Sequence, residues 1–323
     1  MTGPERNVSA PARVVSAPER NLSTPECKVS APERKVSGAQ APPLLFVLAA
    51  ALLWSTGGLF IKWTSLSGLE LSFCRSFFAA ITIAIVTRHE GFGLNRVTAF
   101  ASVLYAVLLI LFVLATKETT AANAIFLQYT APVYLLILEP LIYKEKFRSR
   151  DLITVLVCVG GMALFFVGQL RPQDVTGNFL ALASGLCFAL YFLSLRHPKA
   201  REVNRASSVI YGNILAVIIT APWGLAAIPN LTFHDAFSVV YLGVVQLGIA
   251  YALFTVAMAR GVRSLDAGII CYVEPVLNPV WVFLVLGEQP SRWALLGGAI
   301  IVTAVLIHML LDSQLKKTAK AIV

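Results

Sequence analysis

The chain has 323 residues, of which 57% are hydrophobic and only 13% are charged, and its mean hydropathy is +0.76. A water-soluble fold of this size could not bury that much apolar surface, so we predict an all-α, polytopic membrane protein. The net charge of +9 is carried by tails and connecting segments, so no nucleic-acid partner is expected. Five cysteines show no CxxC pair or metal-ligand spacing, and we predict neither a metal site nor a cofactor.

Residues 1–43 differ from the rest of the chain. From Pro4 they contain five seven-residue units, which begin with PERNVSA and end with PERKVSG. A proline in every unit excludes a continuous helix, and therefore a coiled coil, despite the heptad period. We expect a disordered basic tail that is not a signal peptide. Contact with anionic lipid is the alternative to a tail without a partner.

Ten apolar segments follow the tail, and each is close to the length of about 20 residues that a helix needs to cross a bilayer. They lie near residues 44–62, 69–87, 97–115, 121–142, 151–169, 177–195, 206–226, 236–257, 265–286 and 293–312. Short connections separate them and carry most of the charges. We therefore predict two five-helix units, 44–169 and 177–312, and a basic cytoplasmic tail at 313–323.

The distribution of Lys and Arg predicts the orientation of these helices. With the N-terminus in the cytoplasm, 21 of the 26 basic residues fall on the cytoplasmic side and four on the other, while Arg75 lies within a span. Both termini are therefore expected to be cytoplasmic. Because each unit has an odd number of spans, the second must be inverted relative to the first. Inverted repeats give many secondary transporters access to one site from both sides.

Internal similarity supports the repeat. The stretch Ala124–Glu145 aligns without a gap with Ala267–Glu288, which lies 143 residues later, and six positions are identical. They include a Tyr-x-x-Pro motif that begins at Tyr129 and again at Tyr272, and a terminal glutamate. These shared features are more specific than a common hydrophobic composition.

The first predicted unit opens with AALLWSTGGLFIKW and the second with ALASGLCFALYFLSLR. These motifs resemble the first helix of each repeat in the EamA-like permeases of the drug/metabolite transporter superfamily. The two Tyr-x-x-Pro segments resemble the family's fourth-helix pattern, and Arg75 matches a second-helix arginine that is common in the family. The resemblance covers residues 44–312. The sequence departs from the family pattern at Lys144-Glu145, where Gly-Glu is usual, and at Glu139-Pro140.

The resemblance implies a bundle of ten transmembrane helices in the cell (inner) membrane, with a central cavity between the two repeats. Its implied function is secondary transport, with export as the family tendency, of small metabolites such as amino acids or related amphipathic compounds. No ATP-binding or hydrolase motif is present, so an enzyme is not expected. The alternative is a non-transporting scaffold or lipid-handling subunit that acts through the basic tail. Small-molecule substrate and lipid are the expected partners, and assembly into a homo-oligomer is left open.

Glu274 is the sharpest candidate for a site residue. A carboxylate near the middle of an apolar span should face protein or water rather than lipid. At helical spacing it shares a face with Cys271, Asn278 and Trp281, which gives a more polar stripe than a lipid-facing helix has. It is interpreted either as a cavity carboxylate that binds a cationic group or a coupling proton, or as a structural group beside Pro275.

The other predicted substrate-binding residues are polar or aromatic side chains within spans. They are Asn278, Gln128, Tyr129, Tyr272, Trp54 and Gln246. For each the alternative is packing or an interhelical hydrogen bond. Arg75 is expected to snorkel to the interface or to pair with Glu70, ahead of contact with an anionic substrate. His308 is expected to have no role.

Overall fold

The computed structural model describes residues 42–119, 121–144, 148–164, 175–286 and 292–321. All regular structure within these ranges is helical. The heptad tail, Glu145 and the pair Gly287-Glu288 lie outside them, so the predictions made for those residues remain predictions.

Seven α-helices form the first half of the described chain, and each overlaps a predicted apolar segment. They are α1 (Pro43–Trp54), α2 (Gly57–Trp63), α3 (Gly68–Thr87), α4 (Arg96–Glu118), α5 (Ala121–Gln128), α6 (Ala131–Tyr143) and α7 (Ser149–Leu164). The first predicted segment is thus divided into α1 and α2, and the fourth into α5 and α6.

The second half contains seven more α-helices and one π-helical stretch. They are α8 (Val175–Arg196), α9 (Ser207–Ala227), α10 (Phe233–Val240), the π-helix Tyr241–Ile249, α11 (Ala250–Ala259), α12 (Ser264–Cys271), α13 (Val273–Leu286) and α14 (Arg292–Ala321). The stretch from α10 to α11 is continuous, and α12 and α13 are separated only at Tyr272.

Eight helical stretches among the described residues are long and apolar enough to cross a bilayer. They coincide with eight of the ten predicted segments. The other two, 151–169 and 293–312, coincide with α7 and α14, whose described apolar parts are shorter. The chain is therefore an all-helical, polytopic membrane protein.

The repeat is visible in the positions where helices break. The helix α5 ends at Gln128 and α12 ends at Cys271, so the two breaks are separated by the same 143 residues as the aligned sequences. Pro132 and Pro275 lie just after the breaks. A proline has no N–H to donate to the preceding turn, which favours an interruption at both places.

Helix packing shows the same repeat, because the main contacts between the two halves have counterparts in which the roles of the halves are reversed. The helix α4 packs on α8, and its counterpart pair, α1 and α11, packs in the equivalent way. Similarly, α4 packs on α9 and α3 packs on the π-helix, while α3 packs on α9 and α7 on α14. The two halves therefore share an extensive interface, and the space between them is bounded by helices from both.

Connecting segments gather at two ends of the bundle. At one end, Asn204 Nδ2 donates a hydrogen bond to Thr87 O at 3.1 Å, and Ser207 Oγ donates one to Gly93 O at 2.6 Å. These bonds join two connections that the topology prediction places on the cytoplasmic side. We call this end the basic end, because most of the Lys and Arg residues of the connections lie there.

Different connections meet at the opposite end. Asp235 accepts hydrogen bonds from Thr64 Oγ1 at 2.7 Å and from Ser65 N at 2.8 Å, and Lys117 Nζ donates to Thr64 O at 3.0 Å. The connections predicted to share a side of the membrane thus contact one another.

Candidate functional site

A small cavity lies between the two halves, and both contribute side chains to its wall. The lining residues are Trp54, Arg75, Leu108, Leu109, Phe112, Gln128, Phe188, Gln246, Leu247, Tyr251 and Glu274. The walls are largely apolar, with one arginine, one glutamate and two amides. The cavity volume is about 30 Å³, enough for about two water molecules but not for a metabolite.

Glu274 lies in the first turn of α13, directly after the break at Tyr272, and its residue surface is 7% exposed. This position places the carboxylate at a helix N-terminus, where the helix dipole favours a negative charge. The hydroxyl of Tyr129, which lies in the equivalent break of the first half, donates a hydrogen bond to Glu274 Oε2. The two broken helices are therefore linked through the site itself.

Arg75 is fully buried in α3 and faces the same cavity. Its Nη2 donates to Leu109 O at 3.1 Å, while Nε has no hydrogen-bond partner among the described residues. Glu70 accepts instead from Ser67 N at 2.7 Å in the N-terminal cap of α3. The expectation that Arg75 snorkels or pairs with Glu70 is wrong, because the side chain points inward, away from both lipid and the capping carboxylate.

Two further buried polar atoms at this cavity lack partners among the residues that the structure describes. They are Trp54 Nε1, a donor, and Gln246 Oε1, an acceptor. Gln246 comes from the π-helix, a geometry that is rare and often found at functional sites. Buried polar atoms are nearly always hydrogen-bonded in proteins. Three unpartnered ones around a single cavity, with the Nε of Arg75, indicate a site for a polar ligand.

The predicted Gln128 has two roles in the structure. It lines the cavity, and its Nε2 also donates to Ser184 Oγ on α8 at 2.7 Å. Ser184 Oγ in turn donates to Leu108 O at 3.0 Å. This hydrogen-bond chain joins α5, α8 and α4 behind the cavity wall.

Three predicted residues lie outside the lining. Tyr129 contacts Glu274, and the ring of Tyr272 lies 5.9 Å from the ring of Tyr129. Asn278 Nδ2 donates to Ser55 O at 3.2 Å, where the chain passes from α1 to α2. In this conformation these side chains support the wall of the site, and direct contact with a substrate stays a prediction for them.

A second, larger cavity of about 280 Å³ lies towards the basic end. Its lining includes Thr98 of α4, Leu195 of α8, and Thr255 and Met258 of α11. The same three helices also line the central cavity, through residues that lie on each helix farther from the basic end. We call the larger cavity the vestibule.

Aromatic rings occupy the region between the central cavity and the vestibule. The ring of Tyr251 lies 4.6 Å from that of Trp54 and 4.8 Å from that of Tyr105, and Tyr105 lies 5.2 Å from Tyr191. Tyr105 and Tyr191 each come from a position between the lining residues of the two cavities on their own helix. This aromatic layer closes the central cavity on that side.

A buried ion-pair network joins the two halves at the basic end. Arg263 donates to Glu139 at 3.0 Å and to Asp151 at 2.6 Å, and Arg196 donates to Glu139 at 2.5 Å. Glu139 and Asp151 are buried, so their charges depend on these arginines. Burial acts to lower the pKa of Arg263, but the neighbouring carboxylates, chiefly Glu139, outweigh it and raise that pKa above the usual value.

The network explains two residues that sequence reasoning did not place. Glu139, a departure from the family pattern, is the carboxylate shared by both arginines. His308, for which no role was expected, lies 3.2 Å from Asp266 and adds a contact between α14 and α12. Their partners are more than 40 residues away in the sequence, so no local pattern indicated these contacts.

Comparison with known proteins agrees with the architecture. A crystal structure of another protein superposes with a TM-score of 0.67 at 21% identity, over 83% of this chain and 97% of that one, and shares the fold. The uncharacterized transporter YwfM of Bacillus subtilis is 28% identical over 86% of this chain and 96% of its own length. The threonine/homoserine exporter RhtA of Escherichia coli is 29% identical over 59% of this chain and 63% of its own.

The sequence profile of the EamA-like transporter family matches twice, over residues 41–167 and 175–310. The two matches fall on the two halves of the described structure, on either side of the connection between α7 and α8. Together with the membrane-spanning helices, they show an integral, multi-pass membrane protein with the organisation of a transporter. The chain belongs to the EamA-like transporter family of the drug/metabolite transporter superfamily.

Proposed function

We propose that this transporter moves amino acids or related amphipathic metabolites by alternating access at the central cavity. The observation that carries the proposal is the buried Glu274 in a closed cavity whose wall also holds unpartnered polar atoms. A carboxylate at that depth is costly, and such residues commonly mark the pathway of a substrate or an ion. The partial likeness to a threonine/homoserine exporter supports both the substrate class and the direction of export.

The proposed topology has ten spans arranged as two inverted five-helix repeats in the cell membrane, with both termini in the cytoplasm. The basic end then faces the cytoplasm. Broken helices at the interface between inverted repeats are typical of secondary transporters and place the substrate near the middle of the membrane. A gradient, rather than ATP, is the proposed source of energy for active transport.

The present conformation corresponds to a closed state in this mechanism, because the central cavity is too small for a metabolite. Opening towards the cytoplasm requires the aromatic layer to part, so that the cavity joins the vestibule. It also requires the ion-pair network at that end to rearrange. Opening to the other side requires the contacts of Asp235 with Thr64 and Ser65 to break.

The proposed roles of the site residues follow from their positions. Glu274 and Gln246 accept hydrogen bonds from the substrate's cationic group. Trp54 and Gln128 complete the polar lining, and Tyr129 positions the carboxylate of Glu274. Asn278 and Tyr272 are proposed to reach substrate only when the broken helices move.

Counterflow in proteoliposomes tests the proposal. Proteoliposomes that contain the purified protein and are loaded with a mixture of unlabelled amino acids are expected to take up the labelled compounds. The substitution Glu274→Gln is expected to reduce the rate of this uptake at least tenfold. Glu202→Gln is the matched control, since Glu202 is exposed at the basic end. An absence of exchange for every amino acid, or a Glu274→Gln protein as active as wild type, would contradict the proposal.

A further inference from the structure

We propose that Arg75 binds the carboxylate of the substrate while Glu274 binds its ammonium group, so that the transporter selects zwitterionic α-amino acids over their esters, amides and decarboxylated amines. The inference rests on the proposed function and specifies the substrate class of the same site. It assigns a binding role to an arginine whose expected role was structural.

The charge of Arg75 is not balanced by a carboxylate of the described residues. A guanidinium carries five N–H donors and stays protonated in proteins. Here one donor is used by Leu109 O, Nε has no partner, and no carboxylate of the described residues lies within ion-pairing distance. Buried charges are paired in proteins because an unpaired one is strongly unfavourable. An arginine left in this condition at a cavity wall is suited to an anionic ligand group.

Arg75 and Glu274 place opposite charges on the wall of the same cavity. Arg75 comes from α3 in the first half and Glu274 from α13 in the second, and both line one cavity without forming an ion pair with each other. A ligand that carries a carboxylate and an ammonium group can lie between them and neutralise both. Binding a neutral zwitterion in this way leaves no net charge in the membrane interior, whereas a simple anion or cation would satisfy only one wall.

The remaining lining atoms fit the same ligand. Guanidinium and carboxylate pair through two parallel hydrogen bonds, and such bidentate pairs are strong and directional. The unpartnered acceptor Gln246 Oε1 suits an ammonium donor, and the unpartnered donor Trp54 Nε1 suits a carboxylate or side-chain hydroxyl. Since the cavity holds only about 30 Å³ in this conformation, the two walls must separate to admit the molecule and close on it afterwards.

The test compares ligands on the wild-type protein. Unlabelled L-threonine, its methyl ester, its amide and 1-amino-2-propanol compete with a labelled amino acid in counterflow. The acid is expected to compete at least tenfold better than the other three, because only the acid presents a carboxylate to Arg75. This series does not depend on the folding of any variant.

Variants then assign the selectivity to the arginine. Arg75→Gln is expected to remove most of the preference for the acid over its ester, and Arg75→Lys to retain part of it. Arg88→Gln, an exposed arginine just after the same helix, should keep the wild-type preference. Size-exclusion profiles identify any variant that fails to fold.

Two results separate failure of this inference from failure of the proposed function. Competition by the ester, amide or amine as strong as competition by the acid would overturn the zwitterion assignment while leaving transport intact. A wild type that exchanges none of the four compounds, nor any other amino acid, would contradict the proposed function itself and the assignment with it.

Discussion

At the scale of single residues, hydrogen-bond partners distinguish two kinds of polar side chain in the wall of the central cavity, those that bind a neighbouring helix and those that are available to a ligand. Gln128 and Gln246 are both buried amides at the wall, and Gln128 has a hydrogen-bond partner, Ser184, on a neighbouring helix. Gln246 Oε1 has none among the described residues. A buried acceptor without a partner destabilises a protein by roughly 1–3 kcal/mol, a cost that is consistent with a functional role.

Gln246→Leu is therefore expected to stabilise the protein by about 1 kcal/mol, because it removes an unpartnered amide at similar volume, and to lower transport at least tenfold. Gln128→Leu, the matched control, should destabilise the protein by a similar amount because it breaks the bond to Ser184. Thermal unfolding in detergent and counterflow measure the two effects. Loss of stability in Gln246→Leu would show that its amide is satisfied and does not await a ligand.

At the scale of helices, the breaks depend on close packing around them. Gly185 of α8 faces the end of α5, and a Cβ atom added there would lie 2.7 Å from Gln128 O. The contact is with backbone, which cannot rotate away as a flexible side chain can. Small residues at such positions allow membrane helices to approach closely. The position of the α5–α6 break, and hence of Tyr129 beside Glu274, is thus partly determined by a glycine on another helix.

Gly185→Ala should destabilise the protein by about 1–3 kcal/mol through overpacking, and should reduce transport because the break is displaced. Gly160→Ala on α7 is the control, because a Cβ atom there meets nothing within 4 Å. The control should keep its activity and gain up to about 1 kcal/mol from helix propensity. Equal melting temperatures for the two variants would show that α5 does not pack as tightly on α8 as described.

At the scale of the whole molecule, the buried ion pairs connect the two halves at the basic end. Glu139 and Asp151 belong to the first half, and their partner Arg263 to the second. Removing one member of a buried pair is far more destabilising than the pair is stabilising, because a charge is left uncompensated. The network is therefore suited to stabilise one arrangement of the two halves, which can change only when these ion pairs break.

Arg263→Gln should weaken closure at this end and lower stability by about 3–5 kcal/mol. Thr255, buried at the vestibule, provides the reporter. In a Thr255→Cys background without the native cysteines, Arg263→Gln should raise the rate of labelling by a membrane-impermeant maleimide applied from the basic end. Lys199→Gln, an exposed residue at the same end, serves as the control and should leave labelling unchanged. Unchanged labelling in Arg263→Gln as well would exclude a role of the network in closure.

The class of protein, the location of the helical segments and the family could all be predicted from local features of the chain. The apolar segments predict helices because length and composition are local properties, and each of the ten coincides with one helix or with two or three consecutive helical stretches in the structure. The offset of 143 residues between the two Tyr-x-x-Pro motifs also reappears in the positions of the helix breaks. Sequence reasoning could single out Glu274 as well, since a carboxylate within an apolar run is conspicuous.

The surroundings of Glu274, in contrast, depend on how distant helices pack. Arg75 lies 199 positions earlier in the chain, and whether its side chain turns to lipid, to Glu70 or to the cavity depends on the rotation of α3 against its neighbours. The same holds for Gln246, whose direction is determined by a π-helix that composition does not indicate. Residues distant in sequence meet through the packing of whole helices, and local patterns of polarity do not contain that information.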